Sequence, residues 1–156
     1  MMGRLRPVMI AALTLPCMSA AVLFATPASA SDPGPHYDTN AYTTGCAGGS
    51  AQYKVAATAP VTLNGTQAGY IQIWYSSTCG TNWGRVVAQP PAGVTVISQS
   101  MGSFTVRTSD SVSTNNTFPL GDGSIISGQV YAPTVRACAY GYFNTNRGFF
   151  EGEACA

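Results

Sequence analysis

Val61-Thr62-Leu63-Asn64-Gly65-Thr66-Gln67-Ala68-Gly69-Tyr70-Ile71-Gln72-Ile73-Trp74-Tyr75 is the stretch that decides the fold. Asn64 and Gly65 both tolerate the positive φ that a two-residue hairpin connection requires, and apolar alternation flanks them on either side. Because strand side chains alternate, Ile71, Ile73 and Tyr75 share one face while Tyr70, Gln72 and Trp74 share the other. The first face is expected to be core. Working outward, short runs rich in β-branched and aromatic residues are separated by Gly, Pro, Asn and Ser clusters, and no helix-period stripe competes with them. Strands are expected over residues 52–59, 68–76, 83–89, 94–100, 103–108, 111–118, 128–131, 135–143 and 148–153. Pro90-Pro91 lacks the amide protons a central ladder needs and reads as a loop. Met101-Gly102 and Gly121-Asp122-Gly123 read as reversals. Such spacing predicts a single all-β domain, an antiparallel β-sandwich or partly open β-barrel.

The chain begins with the grammar of an export signal: Arg4 and Arg6, an apolar run, and Ala28-Ser29-Ala30 as a cleavage site. The expected organisation is therefore a cleaved signal peptide over residues 1–30, a flexible arm over 31–45 and the β-domain over 46–156. Pro16 interrupts the apolar run, which argues against a membrane span, and Pro16 before Cys17 is unsuited to a lipid-attachment site. Past the leader, five cations face six acids, a net charge of −1. Five scattered cations cannot form the continuous positive surface that phosphate backbones or anionic lipids require, so neither nucleic acid nor membrane is an expected partner.

Cys46, Cys79, Cys138 and Cys155 remain after the leader, and in an oxidising compartment they are expected to form two disulfides. Four cysteines permit three connectivities. Cys46–Cys79 with Cys138–Cys155 is favoured, because each bridge closes a moderate loop and pins a terminal segment to the sheet. A zinc site of four thiolates would show close CxxC-type pairs, so no metal is expected, and no cofactor either. Trp83, near the expected bridge, reads as a core plug, with Arg85 capping or stacking beside it.

Three elements carry a resemblance. They are Tyr42-Thr43-Thr44-Gly45-Cys46, then Tyr75-Ser76-Ser77-Thr78-Cys79-Gly80-Thr81-Asn82-Trp83-Gly84-Arg85, and Val130-Tyr131-Ala132-Pro133 leading into Arg136-Ala137-Cys138. In these the chain resembles the YjfA-like family of small exported proteins of actinobacteria and bacilli, a domain of unknown function. The resemblance implies an all-β secreted domain and brings no catalytic residues. Proteins of this type accompany secreted antibacterial assemblies, including umbrella-type toxin particles, which implies an adaptor role.

Catalysis is tested by inventory. His36 is the only histidine, and it follows Pro33-Gly34-Pro35 in the expected arm. No GxSxG elbow accompanies it. Glu151 and Glu153 can share a strand face, but they read as solvated charges on a sheet edge. Asp110 and Asp122 fit ordinary turn roles and no calcium-loop motif. The expectation is a non-catalytic module that binds another secreted protein and not a small molecule. Tyr37 and Tyr42 on the arm are candidate anchors, as are Phe149 and Phe150, since alternation cannot bury both of that pair. The alternatives are a carbohydrate or cell-wall binding module, for which Trp74 is the candidate platform, and an enzyme inhibitor presenting a loop over residues 114–123. A hydrolase using Glu151 and Glu153 is the weakest reading.

Overall fold

The computed structural model describes residues 33–97 and 100–156 of the chain. The expected leader lies outside the described residues. Ten strands follow in order: β1 (Tyr53–Leu63), β2 (Thr66–Ser76), β3 (Thr81–Ala88), β4 (Gly102–Arg107), β5 (Val112–Ser113), β6 (Thr117–Pro119), β7 (Ile125–Ser127), β8 (Val130–Tyr131), β9 (Ala137–Thr145) and β10 (Gly148–Cys155). They form one antiparallel sheet in the order β5-β4-β9-β10-β1-β2-β3-β7-β6, with β8 also on β3. Among the described residues there is no helix, and the sheet curls into a half-barrel. Of the two expected architectures, the partly open barrel is the one adopted.

The hairpin that anchored the reading is present. Leu63 pairs with Thr66 across Asn64 and Gly65, whose φ angles are 50° and 80°. Ile71 and Ile73 are fully buried and meet Val61, Val86, Ala139, Phe143 and Phe150 inside the curl. Glycine lets the interior close: a Cβ on Gly84 would stand 2.6 Å from Ser103 Oγ and 2.9 Å from the Ala139 methyl. β4 and β7 are not ladder partners. Side chains seal them instead, with Ser127 Oγ accepting the Gly84 amide proton at 2.8 Å and lying 2.7 Å from Thr105 Oγ1.

Two expected strands and one expected turn differ from the structure. Residues 94–97 make a single bridge, Val96 to Thr145, and no ladder. The segment is tied to the β9–β10 turn, where Thr95 N donates to Asn146 Oδ1 at 3.0 Å and Ile97 N donates to the Asn144 carbonyl. Ile97 is 51 % exposed, so no buried face holds this stretch as a strand. Residues 111–118 split into β5 and β6, because the backbone between them turns to give the amides of Asn115 and Asn116 to Asp38 Oδ1 at 3.0 and 2.9 Å. Met101-Gly102 is no reversal, since Gly102 opens β4.

The segment expected to be a flexible arm is folded onto the sheet from His36 onward. Gln129, fully buried, holds it. Its amide nitrogen donates to Thr39 Oγ1 and Thr44 Oγ1 at 3.2 and 2.9 Å, and its side-chain oxygen accepts from Thr81 Oγ1 at 2.7 Å. Its backbone exchanges further bonds with Asp38 and Thr39. A buried amide satisfied on all sides fixes one arrangement of the groups around it. Ala41, Cys46 and Ala47 then cover Trp83 and Ile126 in a second, smaller core on the outer side of the sheet.

Candidate functional site

The cysteines pair as Cys46–Cys79 and Cys138–Cys155. The first bridge staples the N-terminal segment beside Trp83, which is 1 % exposed and shares the small core with Cys46 and Cys79. Arg85 is tied to the β6–β7 turn. Its guanidinium pairs with Asp122, and its Nε donates to Ser124 Oγ at 3.0 Å, which binds β3 to the β6–β7 turn. Hydrogen bonds from Ser124, hydroxyl first and then backbone amide, hold the Asp122 carboxyl below its ordinary range, with Arg85 adding to them. Trp74 is half-buried beside Tyr53 and Trp83, at ring separations of 5.7 and 6.4 Å. Its Nε1 donates to Gln72 Oε1 at 3.2 Å.

Of the residues expected to contact a partner, Tyr37 and Phe150 serve the fold. Tyr37 donates its hydroxyl proton to the Ser113 carbonyl at 2.7 Å. Phe150 is 1 % exposed and stacks on Phe143 with ring centres 5.7 Å apart. Tyr42 and Phe149 remain 40 % and 44 % exposed. Burial is the first cause that raises the Tyr42 pKa, followed by the neighbouring Tyr53.

Phe149 belongs to a grouping that the sequence reading did not assemble. Across β4, β9 and β10 the register aligns Phe104 with Tyr140 and Tyr140 with Glu153, and it aligns Gly102 with Tyr142 and Tyr142 with Glu151. Strand alternation sends all these side chains to the outer face. Phe104 and Tyr140 stack at 4.7 Å and 11°. Tyr142 and Phe149 tilt together at 5.5 Å. Between the two ring pairs lies a groove of about 550 Å³ with Gly141 and Gly152, register partners, in its lining. The signal available in the sequence was the i, i+2 spacing of Tyr140 with Tyr142 and of Phe149, Glu151 and Glu153. What sequence cannot supply is the register that lays β4 beside them.

Glu151 and Glu153 are expected to be charges on a sheet edge, but β10 lies between β9 and β1 in the strand order, and β1 pairs with it at Glu151. They are therefore part of the groove and not a guard on an edge. The Tyr140 pKa is raised, first by the hydrogen bond its hydroxyl gives to Glu153, then by partial burial and by the charge of that carboxylate. Both acids issue from one wall, side by side. His36 lies near the sulfurs of Cys46 and Cys79, and Glu153 near those of Cys138 and Cys155. In both clusters the sulfurs are bonded to each other and offer no thiolate to a metal.

Residues 114–123, expected as an inhibitory loop, contain β6, which is laddered to β7. Disulfides characterise chains that mature in oxidising compartments, and among the described residues no helix is long and apolar enough to cross a membrane. In comparisons with known proteins, no family model, curated sequence or solved structure matches this chain.

Proposed function

We propose that the chain is a non-catalytic exported module that binds another secreted protein, and that its recognition surface is the outer face of β4, β9 and β10. Membership of the YjfA-like family, carried by the residues around Cys46, Cys79 and Cys138, is part of the same proposal. It suggests an adaptor that joins components of an extracellular assembly such as an umbrella-type toxin particle. The observation that supports the binding role is the pairing of exposed rings on a rigid floor. Phe104 and Phe149, 36 % and 44 % exposed, stand on laddered, disulfide-braced strands, so little side-chain or backbone freedom is lost when a partner covers them.

Affinity purification of the tagged mature chain from the producing culture tests this reading. A single protein retained at fixed stoichiometry, and lost with Phe149→Ala, is the expected result. Retention of that protein by the variant overturns the assignment of the surface. Ring pairs beside carboxylates also suit a sugar, which keeps the carbohydrate-binding module as a second reading. Binding to insoluble glycan that Phe149→Ala abolishes, with no protein retained, would replace the first reading by the second.

A further inference from the structure

The groove has a charge imbalance that its rings do not require. Glu151 and Glu153 leave the same face of β10, about 7 Å apart along the strand. The ion pairs of the described residues join Arg85 to Asp122 and Arg107 to Asp110, and neither acid of the groove takes part in one. Their neighbours across the ladders are Tyr140 and Tyr142 on one side and, for Glu151, Thr62 on the other. Arg136 acts on the Tyr140 hydroxyl in the sense opposite to Glu153, without pairing with that carboxylate.

An aromatic face is electron-rich and attracts cations. Rings and carboxylates together thus favour positive charge in this groove, with Arg136 acting in the opposite sense at Tyr140, and the floor is glycine backbone. A lysine or arginine suits it on two counts. The long apolar stem of either residue covers ring surface while its head reaches a carboxylate. The flat guanidinium of arginine also stacks on rings and meets a carboxylate through two parallel hydrogen bonds. Spacing adds a third match. Basic residues at alternate positions of an extended chain recur every 7 Å or so, the same interval as Glu151 and Glu153. A neutral sugar would stack on the rings and give hydroxyl protons to the carboxylates, but it brings no opposite charge to offset them.

We propose that the groove receives alternate basic side chains, arginine or lysine, from an extended segment of the partner protein, with Glu151 and Glu153 as their counter-charges. This rests on the protein-binding reading given above and names the chemistry of what is bound.

The probes are an extended peptide with arginine at two alternate positions, the same peptide with glutamine at both, and a neutral chito-oligosaccharide. Each is titrated into the mature chain while backbone amide resonances are followed. The arginine peptide is expected to shift amides of β4, β9 and β10. Its affinity should fall by about tenfold when glutamine replaces arginine or in the Glu151→Gln/Glu153→Gln double variant, the loss expected from two partly exposed charge pairs. It should also weaken as salt shortens the screening length. Equal binding by the double variant overturns the proposal, as does a response of the groove to the oligosaccharide and not to the arginine peptide. The captured partner separates the two levels of inference. If Phe149→Ala loses the partner while the double variant keeps it, the surface stands and the cationic ligand falls. If both variants keep it, the surface itself is wrong.

Discussion

The phenol ring of Tyr142 lies over the backbone of Gly102, its register partner on the neighbouring strand, in the space where any side chain at position 102 would project. A ring covering a strand glycine both fills the gap and acquires a fixed position. Here that position makes one wall of the groove. Gly102→Ala is expected to push the Tyr142 ring aside, and because the obstructed atoms are the far end of a side chain, the cost in stability should fall at the low end of about 1–3 kcal/mol. Recognition should suffer more than folding. Urea unfolding beside a binding titration checks this, and unaltered binding would show that the wall is not used.

Phe149 and Phe150 are sequence neighbours with opposite surroundings. Phe150→Ala opens a cavity against Phe143 and Val61 and should cost about 3–5 kcal/mol. Phe149→Ala removes an exposed ring and should change stability by less than about 1 kcal/mol. Denaturation midpoints of the two variants give the comparison, and similar losses would contradict the assignment of faces.

The seam between β4 and β7 rests on Ser127. Its hydroxyl accepts from Gly84 N, lies beside Thr105 Oγ1, and donates to the Gly128 carbonyl at 2.9 Å. Ser127→Ala leaves a buried amide without its acceptor, a loss of about 1–3 kcal/mol. Faster hydrogen exchange at the Gly84 amide is the local signature that distinguishes this from a general loosening.

The parts of the fold legible in the sequence are those written locally. Asn64-Gly65 needs only its own two residues to specify the turn, and the alternation of Ile71 and Ile73 needs only the pleat. The cysteine spacing belongs with these, since both favoured bridges form. The order of the N-terminal segment is not written locally, because it comes from Gln129, 85 and 90 positions from its partners Thr44 and Thr39. No local pattern encodes a contact at that range. The groove was half legible for the same reason: spacing along β9 and β10 put rings and acids on one face, while Phe104 arrives through a ladder to a strand over thirty residues away. The central place of β10 in the sheet likewise follows from its pairing with β1, so edge behaviour could not be judged from Glu151 and Glu153 themselves.

The two disulfides should be separable by what their loss exposes. They close separations of 33 and 17 residues, and in the chain-entropy picture each stabilises by about 3 kcal/mol. Cys46 and Cys79 line the small core around Trp83, whereas Cys138 and Cys155 join the register partners at the far end of β9 and β10. Cys46→Ser/Cys79→Ser is therefore expected to red-shift tryptophan fluorescence before global unfolding, as the cover over Trp83 loosens. Cys138→Ser/Cys155→Ser should lower the unfolding midpoint with no early shift. The same early shift in both variants would mean that the N-terminal segment depends on the whole sheet and not on its own staple.

Tyr140 offers a reading of the groove's electrostatics that needs no ligand. Its raised pKa derives first from the hydrogen bond to Glu153, then from partial burial, then from that carboxylate's charge, with Arg136 opposing. A phenol whose folded pKa lies above its unfolded value binds its proton more tightly when folded. Its contribution to stability is fully present below the ordinary tyrosine range and is lost as pH rises through the folded pKa. Absorbance titration should thus contain late phenolates from Tyr42 and Tyr140, of which Tyr140→Phe removes one. Glu153→Gln withdraws the carboxylate charge and weakens the hydrogen bond, so the same phenolate should form at lower pH. A basic peptide seated in the groove should act in that direction too, because a cation beside Glu153 favours the phenolate. A phenolate that does not move in Glu153→Gln would place Tyr140 outside the influence of this acid and remove Glu153 from the groove.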